Sequence, residues 1–246
     1  MNTRMMTVII PMYNESSVIR DTANTLSSYM EHNFENYEII FFDDGSKDDC
    51  ADIVNSMELP CVRVLSYDDG KNRGKGGAIR HAMLAANGDI VMFTDADLAY
   101  GTDVIKRVYD IMSENENTDV LLGSRNISKD GYDGYTAIRK IMSKVYIKVL
   151  GLVGGFRLSD SQCGCKAFKG ECAKEIFKRC EVNGFSFDFE AILWAQMLDM
   201  KIDEMPVKII NHRESKINII KDSFKMLKDV RNIRKRVKKQ AKQEKK

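Results

Sequence analysis

Two carboxylates one residue apart, Asp95 and Asp97, follow directly on the apolar run Ile90–Phe93. Placed at a strand end they reach the same small volume. Hard oxygen ligands of this kind suit Mg²⁺ or Mn²⁺, which can also grip a diphosphate and offset the charge of a departing nucleotide. Asp43-Asp44-Gly45-Ser46 offers a second acidic cluster. It makes a good turn and helix cap, and Asp44 could equally accept a uracil N–H. Gly70-Lys71-Asn72-Arg73-Gly74-Lys75-Gly76-Gly77 is a basic Gly-rich loop ahead of a helical pattern. Backbone N–H groups, a helix N-terminus and Lys75 favour phosphate there. The spacing is not that of a P-loop. Arg125 and Arg139 are the basic residues placed near an acceptor phosphate. Such a phosphate is already ionised at neutral pH and needs positioning and charge neutralisation rather than a general base.

These groups must be positioned by the elements around them. β-rich runs at Thr7–Pro11, Tyr37–Phe42, Val62–Ser66, Ile90–Phe93 and Val120–Leu122 alternate with helical patterns at Ser17–Tyr29, Asp48–Met57, Ala78–Ala86 and Asp103–Met112. The alternation predicts an α/β fold: a mostly parallel sheet with helices on both faces. Ser46 and Asp49 read as a capping box for the second helix. Later segments read as helices at Thr136–Gly151 and Phe187–Met200 and a strand at Val207–Ile210. In such sheets ligands bind beyond the carboxyl ends of the strands. Tyr13-Asn14-Glu15, Asp43–Ser46, Thr94–Asp97 and Gly123–Arg125 all fall there, and their convergence on one cleft is the expectation with most behind it.

The whole 246-residue chain carries a net +2, which hides an asymmetry. Residues 216–246 hold ten Lys and three Arg against three acids, so the tail is +10 and the body −8. A basic tail on an acidic body favours a polyanionic partner surface. Ile217, Ile220, Phe224, Leu227, Val230, Ile233 and Val237 recur at helical spacing and make an apolar stripe. The chain therefore divides into a domain over 1–215 and a basic amphipathic tail over 216–246, whose stripe at 217–238 either lies on an anionic membrane or packs on the domain. A helix around Tyr146–Phe156, with Lys144 and Lys148 beside apolar residues, can assist at such a surface. The tail lacks the aromatic interleaving of a nucleic-acid binder, so no nucleic-acid partner is expected. Six cysteines without C-x-x-C pairing argue against zinc and for reduced thiols. No uncharged apolar run is long enough to span a bilayer and the N-terminus shows no signal pattern, so a cytoplasmic protein, peripheral on the inner membrane face, is expected.

Ile9–Glu15 resembles the P-x-Y-N-E opening of family 2 glycosyltransferases of the GT-A (Rossmann-like) fold, Asp43–Ser46 its D-D-G-S and Asp95–Asp97 its D-x-D. Gly74–Arg80, Gly123–Arg125, Asp160–Lys166 and Phe187–Glu190 are most similar to polyprenyl-phosphate sugar transferases of the dolichyl-phosphate β-glucosyltransferase type. The resemblance implies that Pro11, Tyr13, Glu15 and Asp44 line a nucleotide pocket, that Asp95 and Asp97 hold the metal and diphosphate, and that Arg125 and Arg139 meet the acceptor phosphate. It further implies an inverting, metal-dependent hexose transfer from a nucleotide-diphosphate sugar, UDP-sugar being favoured, to a polyprenyl phosphate. Leu98-Ala99-Tyr100 stands where relatives often supply a further polar ligand. Two other readings stay open: a soluble glycosyltransferase acting on a hydroxyl, with Asp188 or Glu190 as base, and a non-catalytic nucleotide-sugar or membrane-binding module.

Overall fold

A computed structural model of the protein describes residues 4–128, 130–132, 137–211 and 219–244, without the side chains of 137–139 and 219–228. Seven strands form one sheet in the order β3-β2-β1-β4-β6-β5-β7. They are β1 (Met6–Met12), β2 (Tyr37–Asp43), β3 (Val62–Ser66), β4 (Ile90–Phe93), β5 (Val120–Ser124), β6 (Lys166–Lys169) and β7 (Ile202–Pro206). Six run in one direction, and β6 lies antiparallel between β4 and β5. The helices are α1 (Ser16–Asn33), α2 (Cys50–Asn55), α3 (Lys75–Ala85), α4 (Asp103–Glu114), α5 (Ala137–Gly154), α6 (Gly170–Phe177), α7 (Phe187–Met197) and α8 (Ile219–Glu244).

β1, β4 and most of β2 and β5 read as apolar runs because both faces are covered. One core joins Ile9, Ile40, Phe93 and Leu122 to α3, α6, α7 and the far end of α8. The other joins Val8, Ile10, Phe41 and Met92 to α1 and α4. α4 is amphipathic and buries Val104, Ile105, Val108 and Met112. From β1 the chain builds outward through β2 and β3, then returns to place β4 on the other side of β1. That reversal between β1 and β4 is the switch point at which an open α/β sheet leaves a crevice.

Three sequence expectations need correction. The final strand is Ile202–Pro206, not Val207–Ile210. Its Asp203 and Glu204 disguise it, because they serve as acceptors for Thr118 and for the 159–160 backbone. β6 and α6 have no counterpart in the sequence reading: β6 is four residues long and begins and ends with Lys. The capping box is absent, since α2 starts only at Cys50 and the Ser46 hydroxyl accepts the Asn14 N–H at 3.0 Å instead.

The tail helix packs on the domain through its second half. Val230, Ile233, Val237 and Ala241 are buried. Arg236 pairs with Glu181 at 2.8 Å and with the buried Glu190. Arg179 reaches Glu244 at 2.9 Å. Ile217 and the side chains of Ile220, Phe224 and Leu227 lie outside the described residues. No helix among the described residues is long and apolar enough to cross a membrane.

Candidate active site

The tips of β1, β2, β4 and β5 all point to the same edge of the sheet, as their shared direction requires. After β1, Asn14 takes a left-handed backbone (φ 53°), which an Asn tolerates, and turns the chain into α1. Pro11 is half-buried, Tyr13 exposed and Glu15 half-buried, and all three lie at the end of β1 or between it and α1.

Asp44 behaves differently from the sequence expectation. It is 3% exposed, and its carboxylate is filled from within the protein. Asn72 Nδ2 donates to it at 2.8 Å, Arg73 N–H at 2.9 Å and Gly74 N–H at 2.9 Å. Burial pushes its pKa up, and the Arg73 and Gly74 N–H groups oppose that. Asp44 is thus the anchor of the Gly-rich loop. Gly45 makes the close approach possible: at φ +72° its Cβ position lies 2.6 Å from Asn72 N, where any side chain would collide with backbone.

The anchored loop delivers Lys75 to the acidic pair. Gly76 N–H and Gly77 N–H donate to Asn183 O at 2.8 and 3.2 Å, fixing the start of α3. Lys75 Nζ then forms an ion pair with Asp95 Oδ1. Burial works against the lysine's charge, but Asp95, Asp188 and Asp97 outweigh it and lift its pKa. Asp97 is pushed above the ordinary carboxylate value by burial and then by the Asp95 charge, with the Ala99 N–H and Lys75 pulling the other way.

The D-x-D turn is held from several sides. Asp97 Oδ1 accepts the Ala99 N–H at 3.1 Å, and Thr22 donates to Ala96 O at 2.5 Å. Val207–Ile210, read as a strand in the sequence, and Asn211 after it lie against this turn. Ile210 N–H donates to Ala99 O at 2.8 Å, and Asn211 Nδ2 to Asp97 O and Leu98 O at 3.1 Å each. Gly164 backs onto Asp95: its Cβ position is 2.2 Å from Asp95 Oδ2. The Tyr100 hydroxyl accepts the Gly164 N–H at 3.1 Å. Asn211 and Gly164 were missed as site residues. Gly164 is signalled by its place within the Asp160–Lys166 motif, and Asn211 by nothing local.

Two hard carboxylates in an electrostatically strained pair fit a divalent cation. Among the described residues no group of three acidic, His or Cys side chains completes a protein-only cage. Mg²⁺ characteristically uses one or two carboxylates and fills its remaining positions with water and substrate phosphate.

Arg125 is held by a partner that the sequence does not announce. It is 8% exposed and its guanidinium is forked by Asp160, Nε to Oδ2 at 2.7 Å and Nη2 to Oδ1 at 3.0 Å. Burial discourages its charge, while Tyr100 and Asp160 hold the pKa well above the ordinary value. Its guanidinium lies 5.2 Å from the centre of the Tyr132 ring. Arg139 belongs to α5, but its side chain is outside the described residues. Asp188 forms a 2.7 Å ion pair with the buried Lys166. Glu190 accepts the Glu181 and Val182 N–H groups at 2.9 and 2.8 Å and binds Arg236. Both acids that could have served as a base are therefore engaged.

Beside Arg125 a groove of about 800 Å³ runs between α5 and residues 155–159, lined by Asn126, Lys144, Lys148, Leu152, Phe156 and Ser159 among others. Ile141, Val145 and Leu152 on α5 are 61, 55 and 81% exposed, an unusual concentration of apolar surface next to lysines.

Fold and site together define a glycosyltransferase of the GT-A type. A family model described as Glycosyl transferase family 2 matches residues 7–177. The chain belongs to that family. It is 32% identical over 243 residues to a dolichyl-phosphate beta-glucosyltransferase of Dictyostelium discoideum, covering 93% of this chain and 73% of that one. It is 27% identical to a UDP-N-acetylglucosamine–dolichyl-phosphate N-acetylglucosaminyltransferase of Methanococcus voltae, covering 85% and 87%. Among solved structures, glucosyl-3-phosphoglycerate synthase from Mycobacterium tuberculosis, in complex with Mn²⁺, UDP and phosphoglyceric acid, superposes with a TM-score of 0.67. That likeness, at 18% identity over 92% of this chain and 76% of the synthase, concerns the fold.

Proposed function

We propose that this chain transfers a hexose from a UDP-sugar to a polyprenyl phosphate at a membrane surface, with inversion at the anomeric carbon. The observation that carries the reading is the juxtaposition of a phosphate-directed lysine and a paired-carboxylate turn at the switch point, with a basic-rimmed apolar groove alongside. The names of the Dictyostelium and Methanococcus relatives support the lipid-phosphate acceptor.

Pro11, Tyr13 and Glu15 edge the nucleotide pocket, and Asp44 shapes its far wall by holding loop 70–74. Lys75 sits at the N-terminus of α3, where backbone dipoles and a cation both favour diphosphate. Asp95 and Asp97 would hold Mg²⁺ or Mn²⁺, which when bound supplies charge neutralisation on the departing nucleoside diphosphate. An acceptor phosphate is itself the nucleophile, so the engagement of Asp188 and Glu190 in ion pairs is no obstacle. Arg125, forked on Asp160, orders the acceptor side of the crevice and contributes its positive field there. Arg139 is assigned to the same phosphate.

The exposed apolar residues of α5, flanked by Lys144 and Lys148, form the surface through which the protein meets the bilayer, the lysines snorkelling beside anionic headgroups. The second half of α8 is fastened to the domain, so membrane contact by the tail falls to its first half and to basic residues off the apolar stripe.

The test supplies UDP-sugar labelled in the hexose and polyprenyl phosphate in vesicles. Label should enter the organic phase only when the polyprenyl phosphate is present. Label that appears solely in a water-soluble product, with a sugar or protein acceptor, overturns the reading.

A further inference from the structure

The acidic pair and its lysine do not balance. Asp188 is answered by Lys166 at 2.7 Å, so among the described residues the charges left acting on Lys75 are those of Asp95 and Asp97. One ammonium faces two carboxylates and sits on one of them, Asp95 Oδ1. That oxygen belongs to one of the two groups assigned to a divalent cation. Lysine and metal therefore compete for the same carboxylate.

The geometry shows which part can give way. The backbone on both sides of Lys75 is pinned, by Gly74 N–H on Asp44 and by Gly76 N–H on Asn183 O. The side chain is not enclosed: Lys75 is 26% and Asp95 34% exposed at the ion pair. A lysine swings through four rotatable bonds with its backbone fixed. Held at the first turn of α3, it remains within the region that attracts diphosphate whichever partner it chooses.

We propose that Lys75 is a placeholder cation: it occupies Asp95 in the free protein, and a nucleoside diphosphate draws it away, releasing Asp95 to a divalent cation. The proposal rests on the donor and metal reading given above. It goes further in assigning an order of events. Metal binds the free protein weakly, and donor and metal tighten each other's binding. Such coupling is reciprocal, so each ligand raises the other's affinity by the same factor. Part of it comes from direct metal–diphosphate contact and would survive without Lys75. The part carried by Lys75 would not.

Calorimetric titration of Mn²⁺ into the metal-free full chain, with and without UDP, separates the two. Lys75→Met should bind Mn²⁺ alone about fivefold more tightly than the unaltered protein, as expected on removing a partly exposed competing charge. The UDP-dependent gain in Mn²⁺ affinity should shrink by about the same factor. Lys75→Arg, which keeps the charge, should stay close to the unaltered protein. Should Lys75→Met not fold, as judged by its thermal melt, Lys75→Gln serves the same comparison. Mn²⁺ affinity in the charge-free variant that equals or falls below that of the unaltered protein overturns the placeholder role and leaves the metal site standing. Absence of Mn²⁺ uptake by every variant even with UDP removes the metal reading itself, and the inference with it.

Discussion

Two ion pairs flank the crevice, and they are built in opposite ways. On the acceptor side Arg125 and Asp160 are 9% and 0% exposed, joined through two parallel bonds and a third from the Arg125 backbone. On the donor side Lys75 and Asp95 are 26% and 34% exposed and joined through one contact, with Asp97 beside them held by the Ala99 N–H alone among the described residues. A buried forked pair is a fixed structural part, because separating it strands a charge in the interior. A half-exposed point contact beside a like charge is ready to change partners. The difference teaches which ion pair is a fixed part of the scaffold and which is free to exchange.

Removing a donor-side carboxylate should have the largest effect on activity. Asp95→Asn is expected to lower turnover by about a thousandfold, the scale found when preorganised charge stabilisation at a reacting centre is lost, while the thermal melt changes little. A steady-state assay with saturating UDP-sugar checks this. Retained turnover would put the departing diphosphate elsewhere.

The acceptor side should respond in stability instead. Asp160→Asn leaves Arg125 buried without its counter-charge, which is expected to cost about 3 kcal/mol. Urea unfolding followed by circular dichroism measures it. A loss under about 0.5 kcal/mol would mean that the pair is solvated and that the contrast between the two sides is false.

A subtler change sharpens the contrast. Gly164→Ala places a methyl where Asp95 Oδ2 now sits, so the carboxylate must move while the fold keeps its contacts. Turnover should fall about tenfold, the scale of a small misplacement at a reacting centre, with a melt near that of the unaltered protein. A large drop in melting temperature would show Gly164 to be a structural residue instead.

The two sides also differed in how much the sequence revealed. The parallel strands β1, β2, β4 and β5 were legible because burial on both faces forces unbroken apolar runs, as in Val8–Ile10 and Ile39–Phe42. The acidic turn was legible because its residues follow such a run directly. β6 was hidden because Lys166 is buried and paired with Asp188, a partner twenty-two positions away that no local pattern announces. Asp44 reads as turn, helix cap or uracil contact alike, because an acid before a turn fits each, and its part in holding residues 72–74 appears only in the fold. Arg125 looked available for the same reason: its partner Asp160 lies thirty-five positions on.

Asp97 tests the donor side most directly, since among the described residues it is the carboxylate of the pair that has a backbone N–H and no cation on it. Its pKa is raised in the folded protein, by burial first and then by the Asp95 charge. A raised carboxylate binds its proton more tightly folded than unfolded. Its ionisation therefore weakens folding, and stability declines as pH rises from the ordinary carboxylate value through the folded one. Thermal melts and turnover should be measured on one preparation of metal-free Asp97→Asn across pH 4 to about 7. The account predicts a melt at neutral pH about 2 °C above that of the unaltered protein, a gain that fades toward acid, together with loss of sugar transfer. A variant that melts lower at neutral pH, or that transfers sugar at the unaltered rate, would contradict it.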